Sequence, residues 1–282
     1  MKRVINIIYL LVISATVIFS QQNNFPKLTG PYLGQTPPGM TPQIFAPGII
    51  STKDANEFSG TFSPDGKEYY FFRFADGAGL MESKLTNEGW TMPKPASFNS
   101  EFIDNEPHIT YDGDHMFFCS SRPYPGSGEG RRMTQIWVMK RDGESWGDPI
   151  HLQMGMAPTT AESGNIYMGS NIYRLENDSL ILMDEIKYSD SVTPEDRLPS
   201  DHTCISRDET FRVFDFKEIL YANFKQNDDT WGKPIDLTGV LNLDGGKMLP
   251  TLSPDNKYLF FCCQGDIYWV SAKIIEELRP KE

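Results

Sequence analysis

Ser63-Pro64-Asp65-Gly66, with the aromatic run Tyr69-Tyr70-Phe71-Phe72 behind it, returns near the C-terminus as Ser253-Pro254-Asp255-Asn256 and Tyr258-Leu259-Phe260-Phe261. A Pro-Asp-Gly turn ahead of bulky residues reads as a hairpin feeding a buried strand. Three weaker copies lie between: Tyr111-Asp112-Gly113 leads into Met116-Phe117-Phe118, Ser163-Gly164 into Ile166-Tyr167, and Arg207-Asp208-Glu209 into Phe211-Arg212-Val213-Phe214. The aligned positions 65, 112, 163, 208 and 255 stand 47, 51, 45 and 47 residues apart. A period of this length, holding several short strands, is that of propeller blades.

A second marker recurs further along each unit. Trp90-Thr91-Met92-Pro93, Trp146-Gly147-Asp148-Pro149 and Trp231-Gly232-Lys233-Pro234 share the form Trp-x-x-Pro, each near the turn residues Asn87-Glu88-Gly89, Asp142-Gly143-Glu144 or Asn227-Asp228-Asp229. Such a turn joins a third strand, for example Ile136-Trp137-Val138-Met139, to a fourth. The proline is expected on that fourth strand, because only an outer edge can do without its N–H. The last unit lacks the marker after Ile267-Tyr268-Trp269-Val270, whereas Ile44-Phe45-Ala46-Pro47 stands before the first unit, with Ile50 in the place of Leu152 and Leu237. The chain is therefore expected to be all-β: a single β-propeller over residues 43–282, with five four-stranded blades and an N-terminal strand that completes the last blade and closes the ring. Residues 21–42, rich in Pro and Gly, are expected as an irregular strap.

Composition agrees with a folded β domain: 39% of residues are hydrophobic and 12% aromatic, and 23 Gly with 20 Pro favour turns over long helices. The formal charge of -12 argues against nucleic acid as a partner. Lys2 and Arg3, an apolar run over residues 7–19 and Ser20 follow the order of a cleavable signal peptide over residues 1–20, too short for a comfortable membrane span. Cleavage would take the charge from -12 to -14 and leave a soluble, monomeric protein in the periplasm or outside the cell, with no membrane insertion. Cys119, Cys204, Cys262 and Cys263 are expected as buried free thiols. They have no Cys-x-x-Cys or paired-His spacing, so no metal is expected, and no cofactor.

The Ser-Pro-Asp-Gly turn, the aromatic second strand and the Ile-Trp or Ile-Tyr third strand resemble the TolB-like, WD40-like β-propeller repeats of exported bacterial proteins, over about residues 43–278. The closing Gly265-Asp266-Ile267-Tyr268-Trp269-Val270 is similar to the final blade of many such proteins from Bacteroidetes. The resemblance implies a fold and an export route, and no single activity.

Strand order in a blade puts the entry to each first strand and each second-to-third-strand loop on one face, around the channel mouth. Glu57, Glu106, His108, Asp201, His202 and Lys247 come from the entries, and Arg73, Arg122 and Tyr124 from the loops. The longest loop, 120–134, adds Arg131 and Arg132. Its Gly126-x-Gly128-x-Gly130 opens no helix and is not a phosphate-binding loop. The chain also has no Gly-x-Ser-x-Gly or His-Glu-x-x-His motif. The mouth composition suggests a carbohydrate-active enzyme on acidic, uronate-containing oligosaccharides, working by β-elimination or dehydration. His202 or His108 would be base and Tyr124 or the other histidine acid. Arg73, Arg122 and Lys247 would hold the carboxylate, with Glu57, Glu106 and Asp201 lining the substrate site. The alternative is a non-catalytic propeller that binds a cell-envelope protein or glycan.

Overall fold

The computed structural model describes residues 25–75, 77–128 and 134–281. The expected signal peptide, Arg131 and Arg132 lie outside the described residues. The chain forms five antiparallel sheets in a ring, each a blade that runs outward in sequence order, save that the outermost strand of the last blade comes from the N-terminal side of the first. The inner strands are Asn56–Phe62, Asp104–Ile109, Thr159–Thr160, His202–Ile205 and Lys247–Leu252 for blades 1 to 5. The second strands are Glu68–Phe74, His115–Ser120, Ile166–Met168, Phe211–Phe216 and Tyr258–Cys263.

The recurring turn is built by its side chains. Ser63 Oγ donates to Asp65 Oδ1 at 2.7 Å and accepts from the Glu68 N–H at 2.9 Å, which fixes the hairpin before the strand begins. Ser206 with Asp208 and Ser253 with Asp255 repeat the arrangement, and Thr110 with Asp112 takes it over in blade 2. The next residue needs positive φ: Gly66, Gly113 or Gly164 supplies it without strain, while Glu209 and Asn256 adopt it at 59° and 56°. Glu209 gains from this placement, because its carboxylate reaches into blade 3 and accepts from Tyr167 Oη at 2.6 Å and Asn165 Nδ2 at 2.8 Å.

The ring closes as the sequence predicts. Gln43–Ile44 pairs antiparallel with Asp266–Ser271, Gln43 against Trp269 and Ile44 against Tyr268. Phe45, fully buried, then inserts among Phe62, Tyr69, Phe260 and Trp269 at centroid distances of 5.2–6.0 Å. Residues before it strap the outside: Gly30 O accepts from Trp90 Nε1 at 2.8 Å, and Gly39 O from the Ser271 N–H at 3.0 Å. Apolar clusters fill the five blade boundaries, with blades 5 and 1 sharing the aromatic-rich cluster that includes the strap residue Leu33. All four cysteines are free and buried.

The prolines depart from their expected position. Pro93 and Pro149 sit in the break between two short outer segments, Gly89–Trp90 and Lys94–Pro95 in blade 1, Ser145–Trp146 and Ile150–Met154 in blade 2. Proline interrupts these outer strands instead of lying within them, consistent with its missing donor and fixed φ. Blade 3, which has no Trp-x-x-Pro, carries instead an unbroken outer strand, Ser179–Glu185.

Candidate functional site at the channel throat

Each blade except blade 4 has a kink at one equivalent residue, within its inner strand in blades 1, 2 and 5 and two residues before it in blade 3. Ser59, Glu106, Ala157 and Leu249 have φ of 31°, 50°, 44° and 56°, and each is followed by Gly60, Pro107, Pro158 or Pro250. In blades 1, 2 and 5 the ladder slips register at this point. His202 occupies the position in blade 4, where pairing is regular from His202 opposite Asp215 to Ile205 opposite Arg212. These five residues form the throat of the channel, which leaves about 20 Å³ for water centres. A buried water needs about 10–15 Å³ on the same scale, so the throat has room for about one.

Two residues along the strand, a seam of hydrogen bonds stitches blade to blade. Thr61 Oγ1 accepts from the Ile109 N–H at 3.3 Å, His108 Nε2 from the Thr160 N–H at 2.9 Å, and Thr159 Oγ1 from the Ile205 N–H at 3.3 Å. Cys204 receives the Leu252 N–H in the same way. His108 thus stands where other blades use Thr or Cys. Its Nε2 is an acceptor, so the imidazole is neutral with its proton on Nδ1, and burial pushes its pKa down to about 4.

Across the throat three side chains meet. Both carboxylate oxygens of Asp215 lie 3.0 Å from His202 Nδ1, and Oδ1 also accepts the His202 backbone N–H at 3.0 Å. An ionised carboxylate only accepts, so Nδ1 carries a proton and Nε2 is turned toward Glu106 Oε1, 4.0 Å away. Glu106 is fixed in turn: Oε2 accepts from the Ala157 N–H at 2.8 Å and the Cys119 thiol at 3.0 Å. Burial and the Glu106 charge push the Cys119 thiol well up, so it serves as a neutral donor. Blade 3 lies between blades 2 and 4 and lines the throat with Ala157, Pro158 and Thr159, none of them ionisable. Burial pulls the His202 pKa down, but the Asp215 hydrogen bond and the charges of Asp215, Glu106 and Asp201 outweigh it, and the net shift is upward.

Of the other expected site residues, Arg73, Glu57, Arg122 and Lys247 are occupied by their neighbours. Arg73 Nε donates to Glu57 Oε1 at 2.8 Å, and its NH2 group donates to the carbonyls of Ile49 and Ile50, which anchors the closing segment. Glu57, with no exposed surface, also accepts from the Thr52 N–H and hydroxyl. Arg122 pairs with the buried Asp104 at 2.8 Å, donates to Ser120 and Phe98, and lies over the rings of Phe118 and Trp137. Lys247 is buried and donates from Nζ to Gly245 O at 2.9 Å. Asp201 is exposed beside His202. Tyr124 turns toward the outer strand of blade 2, stacked on His151 at 4.3 Å with an interplanar angle of 6°. Asp104 and Asp215, which make the decisive pairs with Arg122 and His202, were not among the expected site residues. Strand register is the signal that could have found Asp215, since it faces His202 directly.

No protein-family profile and no curated protein matches the chain. Among solved structures, it is similar to TolB from Acinetobacter baumannii, at 13% identity and TM-score 0.44, covering 76% of this chain and 54% of that one. The chain therefore spans about half of that TolB. A chain from Agrobacterium tumefaciens assigned to TolB is similar at 16% identity and TM-score 0.43, covering 73% of this chain and 69% of that one. So is the gluconolactonase XC5397 of Xanthomonas campestris, at 8% identity and TM-score 0.44, covering 78% of this chain and 87% of that one. Among the described residues no helix is long and apolar enough to cross a membrane.

Proposed function

We propose that the chain is a non-catalytic, exported, monomeric propeller that binds a protein or glycan of the cell envelope. One observation carries this reading: the mouth cations that would have to hold a uronate carboxylate are already engaged. The guanidiniums of Arg73 and Arg122 lie in ion pairs of 2.8 Å with the buried carboxylates of Glu57 and Asp104. Freeing either would leave a buried carboxylate without its partner, which costs about 3–5 kcal/mol for a buried pair.

The elimination reading keeps one observation in its favour, the Asp215–His202–Glu106 constellation, because a carboxylate-oriented imidazole is a competent acid–base group. The raised pKa of His202 favours its protonated form and works against the role of base.

One experiment separates the two. Wild-type protein is incubated with a panel of uronate-containing and sulfated oligosaccharides, with melting temperature and unsaturated-uronate absorbance both followed. The expected result is flat absorbance with an upward melting shift for an envelope-type ligand, about 2.7 kcal/mol at a hundredfold excess over Kd. Absorbance that rises with wild type and stays flat with His202→Gln would overturn the proposal.

A further inference from the structure

The five outer edges differ sharply. Those of blades 1 and 2 are broken at Pro93 and Pro149, and those of blades 4 and 5 pair over only two residues, Ile235–Asp236 and Gln43–Ile44. Blade 3 alone presents a seven-residue outer strand, Ser179–Glu185, bonded on one side to Asn171–Glu176. No Pro or Lys interrupts it, and its middle is Leu180-Ile181-Leu182-Met183. Ile181, Leu182 and Met183 are 42%, 54% and 55% exposed. Folded proteins normally shorten or break such an edge, and this chain does so in its other blades, whereas the blade 3 edge keeps its length with one bulge at Met183 and its two carboxylates at one end. A long apolar edge left open offers a row of backbone donors and acceptors to another strand.

Charge decides what kind of strand. Asp178 and Asp184 are neutralised within the chain, by Lys140 at 2.8 Å and Lys187 at 2.9 Å. Glu176, opposite Ser179 at one end of the strand, and Glu185 at the other have no cation within ion-pair distance among the described residues. A second copy is a poor occupant. Antiparallel self-pairing about the Ile181–Leu182 midpoint sets Glu185 against Asp178, already paired with Lys140, and pairing about Leu182 sets it against Ser179, so neither register gives Glu185 a cation. Each copy also brings a formal charge of -12.

We infer that the outer edge of blade 3 is a docking site for an extended segment of a partner protein, added as a fifth strand. That segment has apolar or β-branched residues at alternate positions and a Lys or Arg at each end, to meet Glu176 and Glu185. The inference rests on the binding reading above and makes it specific.

The test uses the whole protein with two labelled peptides, Lys-Val-Thr-Val-Thr-Val-Lys and Glu-Val-Thr-Val-Thr-Val-Glu. At low salt the Lys-flanked peptide binds at least about tenfold tighter, and added salt shrinks the difference. Hydrogen exchange slows over residues 179–185 and at no other edge. Leu182→Lys, a change at an exposed position, leaves the melting temperature unchanged and weakens the peptide about tenfold. Equal binding of the two peptides, protection elsewhere, or no protection at millimolar peptide overturns the inference. So does concentration-dependent dimerisation that Leu182→Lys abolishes, which would assign the edge to a second copy. Lyase activity in the oligosaccharide assay would remove the non-catalytic reading while protection of the edge persisted, so the two failures are distinguishable.

Discussion

His108 and His202 are both buried imidazoles on inner strands, and their surroundings move them in opposite directions. His108 is held neutral, with a folded pKa of about 4 against about 6.5 when unfolded. Its contribution is complete above pH 6.5 and declines as the pH falls toward 4, a loss of roughly 3 kcal/mol at 1.36 kcal/mol per unit. His108→Thr, which installs the seam residue of blades 1 and 3, is expected to fold and to lose less stability between pH 6.5 and 4 than wild type. Urea unfolding over that range checks it, and parallel profiles for the two proteins would refute the seam role. His202 has the opposite sign, because its folded pKa is raised. Its contribution is complete below pH 6.5 and is lost as the pH rises through the folded value. The stability gap between wild type and His202→Gln should therefore be widest near pH 5.5 and shrink on the alkaline side; a gap that does not change with pH would show that Asp215 and Glu106 do not stabilise the imidazolium.

At the scale of the strand, what the sequence reveals is what local chemistry determines. Ser63-Pro64-Asp65-Gly66 makes its turn from four neighbouring residues, and the Trp-x-x-Pro step is a local break, so blade number and the closing role of residues 43–50 are legible from spacing alone. The function of the mouth residues is not, because it depends on partners far apart in the chain. His108 looks like a candidate base until Thr160, 52 residues away, is seen donating to it, and Arg122 looks like a free cation until Asp104 is placed beneath it. The open edge of blade 3 is hidden for the converse reason: its signature is an absence of Trp and Pro, which in sequence reads only as a decayed repeat. The closing strand gives the element-scale prediction. Phe45→Ala empties the centre of the aromatic cluster between blades 5 and 1 and should cost about 3–5 kcal/mol. Denaturant unfolding measures it, and a loss below about 1 kcal/mol would mean that the ring does not depend on this anchor.

For the whole molecule, the acidic total of -12 describes the protein less well than the distribution of its charges. Arg73 and Arg122 hold the mouth together through buried carboxylates, while at the rim Glu185 on the apolar edge and Glu176 on the strand beside it have no cation within ion-pair distance among the described residues. The rigid centre and the open rim suit a scaffold that binds at its circumference. The seam bonds run one way around the ring: an acceptor in blade 1 takes an N–H of blade 2, blade 2 one of blade 3, and blade 3 one of blade 4. During synthesis each finished blade therefore offers the emerging one a ready template, and domains tend to fold in the order they are made. The exception is Gln43–Ile44 with Phe45, made before every blade, whose partner strand Asp266–Ser271 is among the last segments made. Phe45 can lean on Phe62 and Tyr69 once blade 1 has formed, but the backbone of Gln43–Ile44 has no strand to pair with until the last blade is made, so the step that seals the ring is also the one most exposed to capture by a chaperone.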